Sequence, residues 1–321
     1  MFFDREEEIE RLLEDISYEP NMVTFVYGPI NSGKTTLIQE FLKRTSEKYV
    51  GFYINFRKTP VANYEEFSRV LFSFDSRIKM IKDVISILGK VNPWIPIPRE
   101  VLNDILRDKE PINAFSYLRE VLEEIRSSGK MPILVFDELQ VIKDLKVNGS
   151  LIYQLFNFLI HLSKEAHLAH VFAVTSDSLF ISEIFGNAKL SGRASYFPVY
   201  DLPEEKAIEF LLRLNLSEEE SRLVVEYFGG KPSYLVEAPK HRKHLREWCE
   251  RELTLRAREI RRFKSNLLLE FMDEEEVEVE ELSEEAINLV NANILFYDPL
   301  RGTLRPQGKL ELLAIRKVIK G

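Results

Sequence analysis

The 321-residue chain has a single cysteine, Cys249. It has no partner for an intramolecular disulfide and too few thiolates for a cysteine-based zinc site, which fits a reducing, cytoplasmic setting. No apolar run approaches the roughly 18–20 residues needed to cross a bilayer, so no membrane partner is expected. The opening stretch MFFDREEEIERLL is acidic and amphipathic, unlike the basic and then apolar layout of a signal peptide. There is no Gly/Ser-rich or Pro-rich linker and no internal repeat. Positive charge is also short: the net charge is −8, so the whole molecule presents no attracting field to nucleic acid. Glutamine is scarce, whereas Glu, Lys and Arg are abundant, a bias shared with thermophile proteins. What remains, 45% hydrophobic and 30% charged, is the composition of a folded protein, and the length asks for two or three domains.

Short apolar runs alternate with helical patterns over the first two-thirds. Residues 22–27 (MVTFVY), 50–56 (VGFYINF), 131–136 (MPILVF), 170–175 (HVFAVT) and 196–200 (YFPVY) read as strands. Ile9, Leu12, Leu13 and Ile16 fall at helical spacing, and 35–42 and 151–166 also read as helices. A helical stretch of about 70 residues follows the second strand, broken by VNPWIPIPRE at 91–100. Such alternation indicates a mostly parallel sheet covered on both faces. After Leu202 the pattern becomes all-helical, with a long basic helix over 243–264. The tail offers a helix at 283–291, a hairpin at 294–306 with Arg301-Gly302 at its tip, and a helix at 309–319, an arrangement like a winged helix. The expected division is an α/β core over 1–201, a helical unit over 202–264 and a winged-helix-like unit over 265–321.

Charge is uneven. Residues 231–264 hold eleven Lys and Arg against five Glu, while 273–285 holds nine carboxylates. The run at 241–246 with Arg256, Arg258, Arg261 and Arg262 would suit DNA phosphates. A solvated basic helix paired with the acidic 273–285 segment is the favoured reading.

Gly28-Pro29-Ile30-Asn31-Ser32-Gly33-Lys34-Thr35 matches the P-loop pattern G-x-x-x-x-G-K-[ST], with an apolar strand before it and a helical pattern after it. Gly28, Pro29, Asn31, Ser32 and Gly33, with Lys34, Thr35 and Thr36 at the helix start, form the expected phosphate site for ATP or ADP. Backbone N–H groups face the phosphates, Lys34 neutralises the β- and γ-phosphates, and the Thr35 hydroxyl ligates Mg²⁺. The strand at 131–136 delivers Asp137 at its carboxyl end, where ligands sit in open α/β sheets. Asp137 is the expected Mg²⁺ acid, and Glu138 the residue that activates the attacking water. Arg57 and Lys58, after the second strand, read as solvated.

Six motifs in order resemble one family. They are Phe3-Asp4-Arg5-Glu6 before the first helix, the P-loop, Asp137-Glu138, Thr175-Ser176 ending the fourth strand, Gly192-Arg193-Ala194 before the fifth, and Gly229-Gly230-Lys231-Pro232-Ser233-Tyr234-Leu235. Together they resemble the archaeal ATPases of the AAA+/STAND group of P-loop NTPases, relatives of archaeal origin-recognition initiators. The resemblance implies a three-layer P-loop NTPase core, a helical lid and a C-terminal winged helix. It implies that Phe3 and Arg5 flank the adenine, that Pro232 lies near the base, and that Ser176, or alternatively Thr175, senses the γ-phosphate. It makes Arg193 a candidate arginine finger on its own or a neighbour's nucleotide. A plain strand-end hydroxyl and a surface ion pair are the competing readings of Ser176 and Arg193. One departure is that Lys231 and Pro232 occupy the lid motif where relatives often carry a sensor arginine nearby. The function expected is Mg²⁺-dependent ATP hydrolysis driving a lid-coupled switch, with Lys34, Glu138, Ser176 and Arg193 carrying the chemistry. The alternatives are a nucleotide-regulated DNA-binding module and an ATP-controlled signalling scaffold, with DNA, a protein or a second copy of the chain as partner.

Overall fold

The computed structural model describes residues 2–58, 61–71, 111–146, 150–186 and 191–320. The expected helix break at 91–100 lies outside the described residues. Helix α1 (Glu6–Asp15) precedes β1 (Val23–Tyr27), α2 (Lys34–Arg44), β2 (Tyr49–Asn55), α3 (Tyr64–Leu71), α4 (Pro111–Ser127), β3 (Met131–Asp137), α5 (Leu151–Ile160), β4 (His170–Thr175), α6 (Ser178–Phe185) and β5 (Ala194–Pro198). The five strands form one parallel sheet in the order β2-β3-β4-β1-β5.

Side chains of a strand alternate between faces, and both faces here are apolar. Val23, Phe25, Phe52, Ile54, Leu134, Phe136 and Val171 pack with Phe67, Leu118, Leu155 and Ile181 of the helices on one side. Val26, Tyr53, Ile133, Val135, Phe172 and Val174 pack with Ile9, Leu12, Leu37 and Phe41 of α1 and α2 on the other. Each such side chain, buried fully, contributes about 1.5–3 kcal/mol, so three layers form. The fifth strand starts two residues earlier than expected. Pro198 ends it at the sheet edge, where a residue without an N–H is tolerated. The helix expected over 151–166 loses α-geometry after Ile160. A wider π turn follows, closed by Ala166 N–H on His161 O at 2.9 Å.

Helices α7 (Glu204–Arg213), α8 (Glu218–Phe228), α9 (Pro232–Glu237) and α10 (Leu245–Ile260) come next. A capping box starts α8: Ser217 Oγ accepts the Glu220 N–H at 3.1 Å, and the Glu220 carboxylate accepts the Ser217 N–H at 2.6 Å. The first half of α10 buries Leu245, Trp248 and Cys249 among the helices, and its second half buries Ala257 and Ile260 in a C-terminal core. The favoured pairing of this basic helix with the 273–285 segment needs correction. Arg256 reaches Glu259 at 2.8 Å and Glu311 at 3.0 Å, whereas Glu276 takes Arg301 at 3.3 Å.

The C-terminal unit contains β6 (Val277–Glu278), α11 (Glu284–Asn291), β7 (Leu295–Asp298), β8 (Thr303–Pro306) and α12 (Lys309–Lys320), with an antiparallel sheet ordered β6-β8-β7. Strand β6 lies inside the acidic run and carries no apolar alternation long enough to announce it. The β7–β8 hairpin docks on the core: Phe296 joins the main core cluster and stacks on Tyr27, with ring centroids 6.5 Å apart.

Candidate functional site

A cavity of about 440 Å³ opens where the loop after β1 meets α2, β3 and the helical unit. Only glycine fits at Gly28, because a Cβ there would lie 2.1 Å from Val199 O. Gly33 takes φ 92° as it caps α2, a left-handed turn that glycine adopts without steric cost. The loop thus curls around its own lysine. Lys34 Nζ donates to Gly28 O at 3.0 Å, Pro29 O at 2.7 Å and Ser32 Oγ at 3.4 Å. Burial, followed by the Lys231 charge, lowers the Lys34 pKa to about 8.

Strand β3 brings Asp137 to the same place. Its Oδ2 accepts from Thr35 Oγ1 at 2.9 Å, from Asn55 Nδ2 at 3.2 Å and from the Tyr53 hydroxyl. Burial and the Asp137 charge push the Tyr53 phenol up, which keeps it a donor. The oxygens of Thr35 and Asp137 therefore adjoin. That all-oxygen set suits Mg²⁺, which takes one or two protein ligands and completes its shell with water and phosphate. Among the described residues, no cluster of three or more His, Cys, Asp or Glu would hold a metal alone.

Glu138 follows at φ 61°, a left-handed conformation rare outside glycine. Its Oε2 meets Arg57 Nη2 at 2.8 Å and Gln140 Nε2 at 2.7 Å. Burial raises its pKa and the Arg57 charge opposes that rise. Ser176 lines the cavity. Thr175 is buried instead, donating to Gln140 Oε1 at 2.8 Å and accepting the Asp177 N–H at 3.0 Å.

Asn31, Ser32, Thr35, Thr36, Phe3, Arg5 and Pro232 also border the cavity. Phe3 packs against Phe210 with ring centroids 4.9 Å apart and the planes tilted by 38°, beneath Arg213. The Arg5 guanidinium is committed elsewhere: it donates to Ser32 O at 2.9 Å, Tyr200 O at 2.6 Å and Glu8 at 2.7 Å, tying α1 to the loop. Arg193 is not brought to this site. Its carbonyl accepts the Val23 N–H at the start of β1, and β5 runs parallel to β1. The five residues of β1, about 16 Å at 3.3 Å per residue, separate it from the loop, so Arg193 is not placed as an arginine finger on its own chain's site.

Lys231, named in the sequence as part of the lid motif, and Gln307, Tyr53 and Asn55, which sequence reasoning missed, support the site from outside the loop. Lys231 Nζ, buried, donates to Ile30 O at 3.1 Å and pairs with Asp201 at 3.0 Å. It braces the loop and is not a free phosphate ligand. Gln307, after β8, accepts the Ile30 N–H at 3.0 Å and donates to Leu295 O at 3.1 Å. Tyr53 and Asn55 carry a faint sequence signal, as polar groups at the end of an apolar strand beside Asp137. Gln307 carries none.

Comparison with known proteins agrees with this geometry. A family described as an ATPase domain predominantly from Archaea matches residues 2–238, and the C-terminal domain of MJ1010-like uncharacterised ATP-binding proteins matches 241–319. An uncharacterised ATP-binding protein of Pyrococcus abyssi is 51% identical, with 100% of this chain and 99% of the relative covered. One from Methanocaldococcus jannaschii is 41% identical, with 99% and 97% covered. Among solved structures, a Walker-type ATPase of Pyrococcus abyssi is similar at a TM-score of 0.67 and 19% identity, covering 98% of this chain and 96% of that one. The Aeropyrum pernix ORC2 protein in ADPNP–ADP complexes is similar at 0.55 and 12%, covering 99% and 93%. At those identities the two structures speak for the fold: a P-loop NTPase core with a distinct C-terminal domain.

Proposed function

The chain belongs to the family of ATP-binding ATPases found predominantly in Archaea, and from that premise we propose that it hydrolyses ATP with Mg²⁺ and couples turnover to movement of a lid over residues 202–264 and a C-terminal unit over 265–321. The observation that carries this reading is that residues 30–36 of the phosphate loop and helix start line one cavity with Glu138, while the buried Asp137 accepts the Thr35 hydroxyl behind it. Thr35 and Asp137 would hold Mg²⁺, which supplies charge neutralisation at the β- and γ-phosphates. Lys34 exchanges its loop carbonyls for phosphate oxygens. A water oxygen attacks the γ-phosphorus, and the bond from that phosphorus to the β–γ bridging oxygen breaks. The electron pair leaves with ADP, and the water's proton passes to Glu138. Ser176 contacts the γ-phosphate end. Phe3 and Pro232 border the base, and Pro232 moves with the lid.

Turnover and nucleotide binding, measured separately, test this. Glu138→Gln is expected to keep ATP and Mg²⁺ binding and to slow hydrolysis by about 10²-fold or more, the usual cost of removing a general base. Asp137→Ala should instead weaken the Mg²⁺-dependent part of binding. Equal turnover in Glu138→Gln and the parent rejects Glu138 as the base. Adding duplex DNA across a salt series tests the DNA-binding alternative. The net charge of −8 disfavours that alternative, and α12 spends Leu310, Leu312, Ala314 and Ile315 on packing. Light scattering with ATP or ADP tests self-association, the setting in which Arg193 would meet a neighbour's nucleotide.

A further inference from the structure

Glu138 does not aim itself. Its backbone is in the left-handed region, and both of its donors take the same carboxylate oxygen, Oε2. Of the two, the Arg57 side chain is 63% exposed, so its pull is screened by solvent. Gln140 is half-buried and anchored at its other end by Thr175. The polarity of this link is fixed by chemistry. An ionised carboxylate only accepts, so the Gln140 amide must face it with nitrogen. The Gln140 oxygen then faces Thr175, whose hydroxyl must donate to it at 2.8 Å. A lone pair on that hydroxyl oxygen is left for the Asp177 N–H at 3.0 Å. Asp177 caps α6 through its carboxylate on the Phe180 N–H, so the chain of donors ends on a rigid element. Ser176, between Thr175 and Asp177, lines the nucleotide cavity. Gln140 itself borders a smaller adjoining cavity of about 200 Å³, together with Arg57, Ser176 and Gln307.

We infer that Gln140 is a positioning residue for the hydrolytic step: it ties the Glu138 carboxylate to Thr175 at the end of β4, so that the strand leading into Ser176 sets where the base points. The inference rests on the proposed hydrolytic reading and assigns Gln140 no contact with ATP. A base held by two fixed bonds keeps one oxygen oriented toward its water. A base held by one exposed arginine samples several rotamers, and catalysis falls with the fraction of time it is aligned.

Gln140→Met keeps the length of the side chain and removes the amide. It is expected to lower kcat about tenfold with KM for ATP unchanged within about twofold, the pattern of a contact that matters only in the transition state. Thr175→Val cuts the same link from its other end and should give a similar loss, while Thr175→Ser, which keeps the hydroxyl, restores turnover. The double variant Gln140→Met, Thr175→Val should be no slower than either single variant, since one link is broken once. Unchanged kcat in Gln140→Met, multiplicative losses in the double variant, or a rise in KM matching the fall in kcat would each overturn the inference. If Gln140→Met does not fold, the Thr175→Val and Thr175→Ser pair decides alone. A parent chain that binds ATP without turnover overturns the hydrolytic reading, and this inference with it. A parent that turns over while Gln140→Met matches it removes only the role of Gln140.

Discussion

Lys34 is a buried ammonium whose hydrogen-bond acceptors are all neutral oxygens. Two carbonyls and a hydroxyl offset part of its desolvation, and the remainder appears as a pKa lowered to about 8. The phosphates of ATP would supply the missing negative charge. Lys34→Ala is therefore expected to weaken ATP affinity at least about 30-fold, since losing one partner of a buried charge pair costs 2 kcal/mol or more. The nucleotide-free protein should melt no lower than the parent, because the variant removes a charge whose burial the Glu138, Asp137 and Asp201 carboxylates offset only in part. Calorimetric titration and thermal melting check the two halves; unchanged affinity would remove Lys34 from the phosphate site. This residue was legible in the sequence because the P-loop is contiguous and its chemistry needs a fixed spacing. Lys231 was visible in the lid motif, but neither its grip on the loop nor that of Gln307 was legible. The two side chains hold the carbonyl and the N–H of Ile30 from 201 and 277 positions away, and no local pattern encodes a contact made across such a separation.

The turn from Gly229 to Leu235 shows how one element serves two demands. Gly229 sits at φ 57°, and a Cβ on Gly230 would fall 1.6 Å from Leu202 O, so both glycines are required where the helical unit crosses the end of the core. Pro232 then starts α9 at its first position, where the missing N–H costs nothing. The family resemblance implies a nucleotide-facing lid here, and a plain helix-to-helix turn, with Gly-Gly ending one helix and Pro starting the next, is its rival. In the structure α9 begins as the turn requires, and its Pro232, Ser233 and Val236 border the cavity. Movement separates the two readings. Hydrogen exchange with ATP and Mg²⁺ is expected to slow at residues 227–236 together with 28–36. Protection confined to 28–36 would leave the helical unit a passive spacer. Strand order was not readable at this scale. Five apolar runs announce a covered parallel sheet, but β1 lies between β4 and β5 through contacts that a one-dimensional pattern does not contain.

Across the whole molecule, the C-terminal hairpin is joined to the core by a polar lock as well as by Phe296. Asp298 accepts from the Tyr27 hydroxyl at 3.0 Å and from the Tyr200 hydroxyl, and Arg305 lies over the Tyr200 ring at 4.3 Å. Burial, with the Asp298 carboxylate beside them, pushes both phenols up, Tyr200 to about 12. An unfolded tyrosine ionises near pH 10. A phenol whose folded pKa is raised above that value contributes stability that is fully present below about pH 10 and lost as pH rises through the folded value. The protein should therefore lose stability between about pH 10 and 12, and Tyr200→Phe, which keeps the ring under Arg305, should flatten that loss. Asp298→Ala removes the common acceptor and leaves two hydroxyls at a buried junction. Two hydrogen bonds to a charged group at about 1.5 kcal/mol or more each give an expected loss near 3 kcal/mol at neutral pH. Tyr27 immediately precedes Gly28, and Gln307, one residue past β8, holds Ile30. A loosened hairpin should thus also weaken ATP binding, and by linkage bound ATP should stabilise the docked hairpin. Denaturant unfolding of Asp298→Ala with and without ATP reads both effects. A loss below about 0.5 kcal/mol, the range of ordinary surface substitutions, with ATP stabilisation equal to the parent's, would show that the hairpin merely rests on the core and that nucleotide and C-terminal unit are uncoupled.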